Sequence, residues 1–239
     1  VDAARRRRAQ RFGDRTFDRT NEPPSVEWRN ASFTLPNGRV IGEGNFTVAG
    51  GKSVAILAEN GVGKSTYLQH LFDLVPEATG EVYFHRQDGS ASVELRQLSE
   101  ESLYGILLGF SASGRKAVPQ QFGLFDDEGN YRLHEGPEIE RAFEQAQITS
   151  EMQAEYVRQI NETGKYRASA GQLERWSIAG ALMAPEGSVV IFDEPAANTV
   201  PFVTEQVVNV IRNLEERTRI IVTHRAEFAL ACEEVMVLN

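Results

Sequence analysis

The chain has 239 residues, of which 41% are hydrophobic and 25% are charged, a balance that fits one α/β domain with a substantial core. A single cysteine, Cys232, excludes an intramolecular disulfide and favours a reducing compartment. No apolar run approaches the roughly 20 residues that a membrane-spanning helix needs, and no signal peptide is visible. Because the first residue is Val1 rather than Met, we expect a cut in a longer chain there.

The net charge of −9 is unevenly distributed along the chain. Seven arginines and three aspartates give residues 1–19 a charge of +4, so the remainder carries −13. Such an acidic body is a poor nucleic-acid binder. Residues 1–24 are polar and end in two prolines, which predicts a basic linker or arm. Its charge alone would suit anionic lipid, nucleic acid or plain solvent.

Three strands and a helix are predicted in the first third of the chain. Residues 25–35 alternate apolar and polar side chains with one irregularity, which predicts a strand. A second strand is predicted over 45–48, and a buried third strand over 53–58. Residues 66–74 have the spacing of a helix.

Further strands and helices are predicted downstream, apart from a polar, turn-rich stretch at 85–102 and an ambiguous apolar stretch at 103–110. The strands are predicted over residues 80–84, 188–192, 219–222 and 235–238. The helices are predicted over residues 138–146, 151–160, 169–183 and 202–214. No internal repeat is visible.

The glycine-rich loop between the third strand and the first helix reads ENGVGKST over residues 59–66. Its glycines let successive backbone N–H groups turn inward, and the positive end of the helix dipole faces the same side, so the loop can cradle phosphates. Lys64 can reach the β- and γ-phosphates, and the Ser65 hydroxyl can ligate Mg²⁺. The loop residues predicted to bind the nucleotide are Asn60, Gly61, Val62, Gly63, Lys64, Ser65 and Thr66.

The apolar strand at 188–192 is followed by two carboxylates, Asp193 and Glu194. We expect this strand to lie beside the strand that leads into the glycine loop, so that Asp193 holds the Mg²⁺ shell. Glu194 would then polarise a water for in-line attack on the γ-phosphate. The alternative is a pair of surface acids, which is disfavoured because paired carboxylates at the end of a buried strand cost desolvation energy without a cation.

Ser169, Gly171 and Gln172 stand at the start of a long predicted helix. A serine and a glycine at a helix N-terminus can bind an anion. In isolation the same residues predict an N-cap with a flexible turn. The order of the motifs along the chain favours the anion site.

Over roughly residues 25–239, the chain resembles the nucleotide-binding domain of the ATP-binding-cassette (ABC) superfamily. ASAGQ at 168–172 is similar to the family's signature LSGGQ, and VVIFDE at 189–194 is similar to its Walker B motif with the catalytic glutamate. His224 matches the switch histidine. Gln120 matches the Q-loop glutamine, with Gln121 as the alternative register.

The resemblance implies a P-loop NTPase fold with a RecA-like core and mixed sheet, an antiparallel β subdomain, and a helical subdomain at about 122–182 that bears the signature. Two such domains would dimerise head to tail, and each Ser169 would touch the γ-phosphate bound by the partner. Glu194 would be the general base and His224 a γ-phosphate sensor. Gln120 would sense Mg²⁺ and couple to a transmembrane domain, fused or separate.

Two stretches, 193–202 and 217–225, resemble cyclic-peptide and siderophore exporters. They imply an ATPase domain that powers export at the cytoplasmic face of a membrane, the inner membrane in a bacterium, with residues 1–24 as the linker. Nucleic acid is then not expected as a partner. The alternatives are a non-transport ABC ATPase acting on DNA or ribosomes and a catalytically weak regulatory subunit.

Several positions depart from the family pattern: Ala170 replaces a glycine of the signature, and two further departures bear on activity. The A-loop aromatic, which stacks on adenine in the family, falls near Leu35, and Phe33 or Trp28 could substitute for it. The D-loop, which usually ends in Leu-Asp, has residues 198–200, Asn-Thr-Val, in its place. These departures motivate the regulatory alternative, which the presence of Glu194 and His224 opposes.

Overall fold

The computed structural model describes residues 12–34, 38, 40–57, 78–111, 122–196 and 201–237. The chain divides into two compact units. The first comprises residues 1–109, 185–193 and 214–239, and the second comprises residues 110–184 and 194–213. The described residues of the predicted helical subdomain belong to the second unit, which also includes residues 194–213.

Eleven strands, six α-helices and one 3₁₀ helix, Leu95–Gln97, lie within the described residues. The strands are β1 (Ser25–Thr34), β2 (Val40–Val48), β3 (Ser53–Leu57), β4 (Ala78–His85), β5 (Ser92–Glu94), β6 (Leu107–Ser111), β7 (Gly123–Phe125), β8 (Tyr131–Leu133), β9 (Val189–Asp193), β10 (Thr218–Thr223) and β11 (Glu234–Val237). The helices are α1 (Glu100–Ile106), α2 (Pro137–Gln145), α3 (Ser150–Thr163), α4 (Ala170–Leu182), α5 (Pro201–Asn213) and α6 (Ala226–Ala229).

An antiparallel sheet in the order β2-β1-β4-β5 forms one part of the first unit. The irregularity predicted in β1 is confirmed, because its register with β2 shifts between Trp28 and Ala31. Residues three apart on a regular strand point to opposite faces. The shift, accompanied by a positive φ at Asn30, instead allows both Trp28 and Ala31 to be fully buried.

A second sheet of the first unit has the order β11-β3-β10-β9-β6, with parallel pairing of β11, β3, β10 and β9. The expectation that β9 lies beside β3 is wrong, because β10 lies between them. All six residues of β10 are buried, and the apolar run Ile220, Ile221 and Val222 at its centre suits an interior position. Order along the chain does not fix order in a parallel sheet, where crossover connections can insert a later strand.

The stretch at 85–102, predicted as turns, contains β5, the 3₁₀ helix and the start of α1. Ser99 caps α1 by accepting the N–H of Ser102, and two glutamates follow in the first turn. The apolar stretch at 103–110 divides between α1 and β6. The sequence did not reveal these elements because a strand of three residues and a helix of seven are too short to show a clear hydrophobic period.

Residues 12–24, the second half of the predicted linker, pack against other residues of the first unit. Phe17 is 5% exposed, and its ring centroid lies 6.4 Å from that of Phe84. The backbone N–H of Phe17 donates to Ser102 Oγ at 2.7 Å. The Gly13 N–H donates to the Leu98 carbonyl at 2.9 Å. A Cβ on Gly13 would lie 2.2 Å from the Gln97 carbonyl oxygen, so only glycine permits this approach.

The second unit is built around an aromatic cluster, defined by Phe122, Phe143, Tyr156 and Trp176. The Trp176 ring of α4 stacks on Tyr156 of α3 with centroids 4.2 Å apart, and Phe122 and Phe143 meet the Trp176 ring edge-on at 4.9 and 5.3 Å. Offset and edge-on ring pairs are stabilising beyond the area they bury. The cluster therefore fixes α4 within this unit.

Replacing Phe17 with Ala tests whether the docked segment belongs to the fold. Because the ring is buried, Phe17→Ala should lower the free energy of unfolding by about 3 kcal/mol in urea titrations. The neighbouring Thr16 is exposed, so Thr16→Ala should change stability by less than about 0.5 kcal/mol. Equal, small effects of both changes would mean that residues 12–24 behave as a free linker.

Candidate functional site

The register of three parallel strands places two predicted site residues at one edge of the sheet in the first unit. Thr223 of β10 pairs with Leu57 of β3, and Val222 of β10 pairs with Asp193 of β9. The carboxyl ends of the three strands therefore stand in one row, and Asp193 and His224 lie at this edge. The glycine loop follows β3 after one further residue.

Several predicted site residues lie outside the described residues. They are Asn60, Gly61, Val62, Gly63, Lys64, Ser65, Thr66 and Gln120. Their predicted roles stay predictions. What the structure describes is the strand that leads toward the loop, which is buried from Ser53 to Ile56.

Asp193, the last residue of β9, is half-buried. Neighbouring strands of a sheet lie about 4.8 Å apart, so the end of β9 stands roughly 10 Å from the end of β3, with β10 between them. The three residues before Asp193 are buried, so Asp193 is the first residue of β9 that is partly accessible, and it lies at the carboxyl edge of the sheet.

His224 is exposed on the turn that follows β10. The Thr223 hydroxyl accepts the N–H of Arg225 at 3.1 Å, which closes the turn around His224. The Arg225 guanidinium binds Glu227 at 2.6 Å and lies over the Phe228 ring at 5.3 Å. The turn that carries the histidine is thus held on both sides while the imidazole stays accessible.

Glu194 begins a turn of unusual backbone conformation in the second unit. Its φ is +49°, and that of Ala196 is +55°, two left-handed residues that are not glycine. Such residues cost about 1–3 kcal/mol each and persist only where their surroundings hold them. Here the Glu174 carboxylate of α4 accepts the N–H of Ala196 at 3.0 Å.

Ser169 and Gln172 form a capping box at the start of α4. The Ser169 hydroxyl accepts the N–H of Gln172 at 3.3 Å, and the Gln172 side-chain oxygen accepts the N–H of Ser169 at 2.9 Å. The N-cap interpretation is therefore confirmed. It does not exclude the anion site, because an accepting hydroxyl still has its proton to donate. Ser169 is exposed, and among the described residues no atom beyond the chain neighbours of Gly171 and the backbone of its own helix lies within 4 Å of a Cβ built there.

The segment leading to Ser169 is held by Gln159 of α3, which sequence reasoning missed. The Gln159 amide accepts the N–H of Arg167 at 2.7 Å and donates to the Arg167 carbonyl at 3.1 Å. A single side chain thus satisfies both backbone groups of a residue two positions before the signature serine. No local pattern in the sequence pairs these residues, which lie eight positions apart.

Glu174 is the second functional candidate that sequence reasoning missed. It is 3% exposed, and burial raises the pKa of its carboxyl from the ordinary 4.5 to about 7, while the Ala196 N–H acts in the opposite direction. One signal was available in the sequence: Glu174 lies four residues before Ile178, on the same buried face of α4.

The described residues, 12–34, 38, 40–57, 78–111, 122–196 and 201–237, offer neither a cluster of metal ligands nor a membrane-spanning helix. Within these ranges, no three His, Cys, Asp or Glu side chains are grouped as ligands for a metal ion. None of the described helices combines the length and the hydropathy that crossing a membrane requires.

The sequence profile of the ABC transporter family matches residues 41–197, which is more than half of the chain. The chain belongs to this family, and it is an ATP-binding and ATP-hydrolysing domain of the P-loop NTPase fold that the sequence predicted. The antiparallel sheet and the parallel sheet of the first unit confirm that fold class.

Two curated relatives illustrate the likeness. The chain is 29% identical over 247 residues to ABC transporter B family member 6 of Dictyostelium discoideum, covering 93% of this chain and 34% of that protein. It is 30% identical over 230 residues to the lipoprotein-releasing system ATP-binding protein LolD of Coxiella burnetii, covering 92% and 94%. The chain thus spans about a third of the length of its B family relatives.

Among solved structures, a bacterial Atm1-family ABC exporter with ATP bound superposes with a TM-score of 0.68 at 22% sequence identity. The match covers 97% of this chain and 39% of that one. At this identity the likeness shows the fold.

The buried Glu174 carboxyl predicts a pH-dependent difference in stability. Its folded-state pKa of about 7 lies above the ordinary 4.5, so its contribution is fully present below pH 4.5 and is lost as pH rises through 7. One pKa unit is about 1.4 kcal/mol, so the loss approaches about 3 kcal/mol. Glutamine does not titrate, so Glu174→Gln should escape this loss. Between pH 4.5 and 8, the free energy of unfolding of Glu174→Gln minus that of wild type should rise by up to that amount. A difference between the two proteins that stays constant with pH would contradict this assignment.

Proposed function

We propose that this domain hydrolyses MgATP to power export of a substrate across a membrane, as one half of a head-to-tail pair of such domains. The observation that carries the proposal is the strand register. It aligns the ends of β3, β10 and β9, so that Asp193 and His224 stand at the sheet edge toward which the glycine-loop strand runs. In open α/β sheets, ligands bind outside the carboxyl ends of the strands.

Mg²⁺ would be held by Asp193 together with Ser65 and Gln120. The fit rests on chemistry: Mg²⁺ takes hard oxygen ligands and commonly uses only one or two protein carboxylates, with phosphates and waters completing the shell. A lone half-buried carboxylate at the end of β9 suits that arrangement. When bound, the ion neutralises charge on the phosphates.

Glu194 would act as the general base that takes a proton from the attacking water. With a φ of +49°, Glu194 lies on a turn just beyond Asp193, the last residue of β9. Two adjacent carboxylates would thereby serve different roles. His224, on its closed turn, would contact the γ-phosphate, and Lys64 would neutralise the β- and γ-phosphates.

Ser169 would serve the partner domain. Its hydroxyl proton is available although its oxygen caps α4, and the first N–H groups of the helix face the same region. Ser169, Gly171 and Gln172 would therefore bind the γ-phosphate held by the second copy. A site completed by a partner explains why hydrolysis would require dimerisation.

Export is supported by two likenesses. The B family relatives match over more than nine-tenths of this chain, and residues 193–202 resemble exporter sequences. The chain would then lie at the cytoplasmic face of a membrane, partnered by a transmembrane domain, with residues 1–24 as the link between them. The −13 charge of the remaining chain opposes nucleic acid as a partner.

Replacing Glu194 tests hydrolysis. Loss of a general base costs on the order of 10²–10⁴-fold in rate, so Glu194→Gln should lower the kcat for ATP by that factor and leave nucleotide affinity within about twofold. Glu205 is exposed on α5, and Glu205→Gln is the matched control that should keep wild-type turnover. Wild-type protein that binds ATP without turnover, even at concentrations that favour dimers, would support the regulatory alternative.

Replacing Ser169 tests the paired arrangement. In the Glu194→Gln background, MgATP should shift the domain from monomer to dimer in size-exclusion chromatography, because hydrolysis no longer separates the pair. Adding Ser169→Arg should abolish the shift by placing a bulky cation at the signature. Ser150→Arg, at another exposed serine in the first turn of a helix, should leave it intact. A shift that survives Ser169→Arg would mean that the dimer forms through another surface.

A further inference from the structure

We propose that Glu174 is a positioning residue for ATP hydrolysis, which ties the backbone turn that carries Glu194 to the helix that carries the signature serine. The inference rests on the proposed function, since it assigns Glu194 the role of general base. It adds a residue that neither the glycine loop, the Walker B strand nor the signature includes.

The contact that carries the proposal is one hydrogen bond within the second unit. Oε1 of Glu174 accepts the N–H of Ala196 at 3.0 Å, and Ala196 lies two residues after Glu194. Both of these residues have positive φ, so the turn is held away from ordinary backbone conformations. Losing the acceptor would release the turn at the end that follows the catalytic carboxylate.

Packing alone does not explain a carboxylate at this position. Glu174 is 3% exposed, and within the described part of the chain its second oxygen, Oε2, has no hydrogen-bond partner. Burying a carboxyl group with a single partner costs free energy that an apolar side chain of the same length would avoid. The carboxyl group does supply an oxygen acceptor for the Ala196 N–H, which an apolar side chain would lack and which a strained turn requires.

The helix that bears Glu174 is a rigid anchor. Trp176 stacks on Tyr156 with centroids 4.2 Å apart, and Arg175 donates to the Gln147 carbonyl at 2.9 Å. Side chains supported in this way can hold a neighbour to within a fraction of an ångström. The hydrogen bond to Glu174 therefore ties the turn after Glu194 to this helix.

The same helix begins at the capping box of Ser169. Glu174 lies five positions after Ser169, a rise of about 7.5 Å along the axis. A phosphate that accepts a hydrogen bond from the Ser169 hydroxyl would therefore bind at the start of the helix to which the Glu194 turn is tied. One helix and one hydrogen bond thus connect the group that would meet the partner's nucleotide with the group that would activate water.

The test compares three side chains at position 174 in the same domain. Glu174→Met keeps the length and removes the acceptor, and Glu174→Gln keeps an oxygen acceptor without charge. Misplacement of a catalytic group by about 1 Å can cost 10²-fold, so we expect Glu174→Met to lower the kcat for ATP by about 10- to 100-fold. The KM for ATP should stay within about twofold, and Glu174→Gln should recover kcat to within about threefold of wild type.

Hydrogen exchange supplies a readout independent of turnover. The Ala196 amide should exchange faster in Glu174→Met than in wild type and Glu174→Gln, while amides of the α3 interior stay unchanged. If Glu174→Met does not fold, Glu174→Leu takes its place, since it also lacks the acceptor and suits an apolar setting. A purely structural role would lower folded fraction, kcat and nucleotide binding together, and that result would overturn the proposal.

The failure of this inference differs from the failure of the proposed function. Wild-type turnover with an equal kcat in Glu174→Met would overturn the role of Glu174 and leave the ATPase assignment standing. Absence of turnover in wild type under dimer-forming conditions would overturn both.

Discussion

The parallel pairing of β3, β10 and β9 is the constraint on which the candidate site depends. Each strand is buried over consecutive residues and hence on both faces, so a slip of register by one residue would place every core side chain in packing shaped for its neighbour. The packing of the sheet therefore fixes which residues emerge at its carboxyl edge. Asp193 and His224 emerge there because each directly follows a buried residue of its strand, Phe192 of β9 and Thr223 of β10.

The backbone changes from an extended strand to a strained turn immediately after Asp193. It leaves the sheet, adopts two left-handed residues and enters the second unit, where the buried Glu174 carboxyl receives the Ala196 N–H. The cost of strain and of a desolvated acid is concentrated in a few residues around Glu194. Local cost of this kind persists where the surrounding packing, here the aromatic cluster beneath α4, holds it in place.

Much of the fold was predictable because its signals are local. Apolar runs marked β9 and β10, and the serine and the helical pattern that follows it predicted that α4 begins beside Ser169. The position of β10 between β3 and β9 was not predictable, since spatial order in a parallel sheet is set by crossovers and not by any residue pattern. Nor was the hydrogen bond from the Ala196 N–H to Glu174, since these residues lie 22 positions apart. Phe17 was overlooked because the charge of residues 1–19 dominates their composition, although one buried ring suffices to dock the segment.

The most direct test of the central claim is the Mg²⁺ dependence of phosphate release from ATP by the wild-type domain and by Asp193→Asn. If the carboxyl edge of the sheet is an ATPase site, wild type should release phosphate only when Mg²⁺ is present. Asp193→Asn, which keeps the shape of the side chain and removes its charge, should need a higher Mg²⁺ concentration for half-maximal rate and reach a lower maximum. Identical Mg²⁺ titrations for the two proteins, or equal release in the presence of a chelator, would contradict the account.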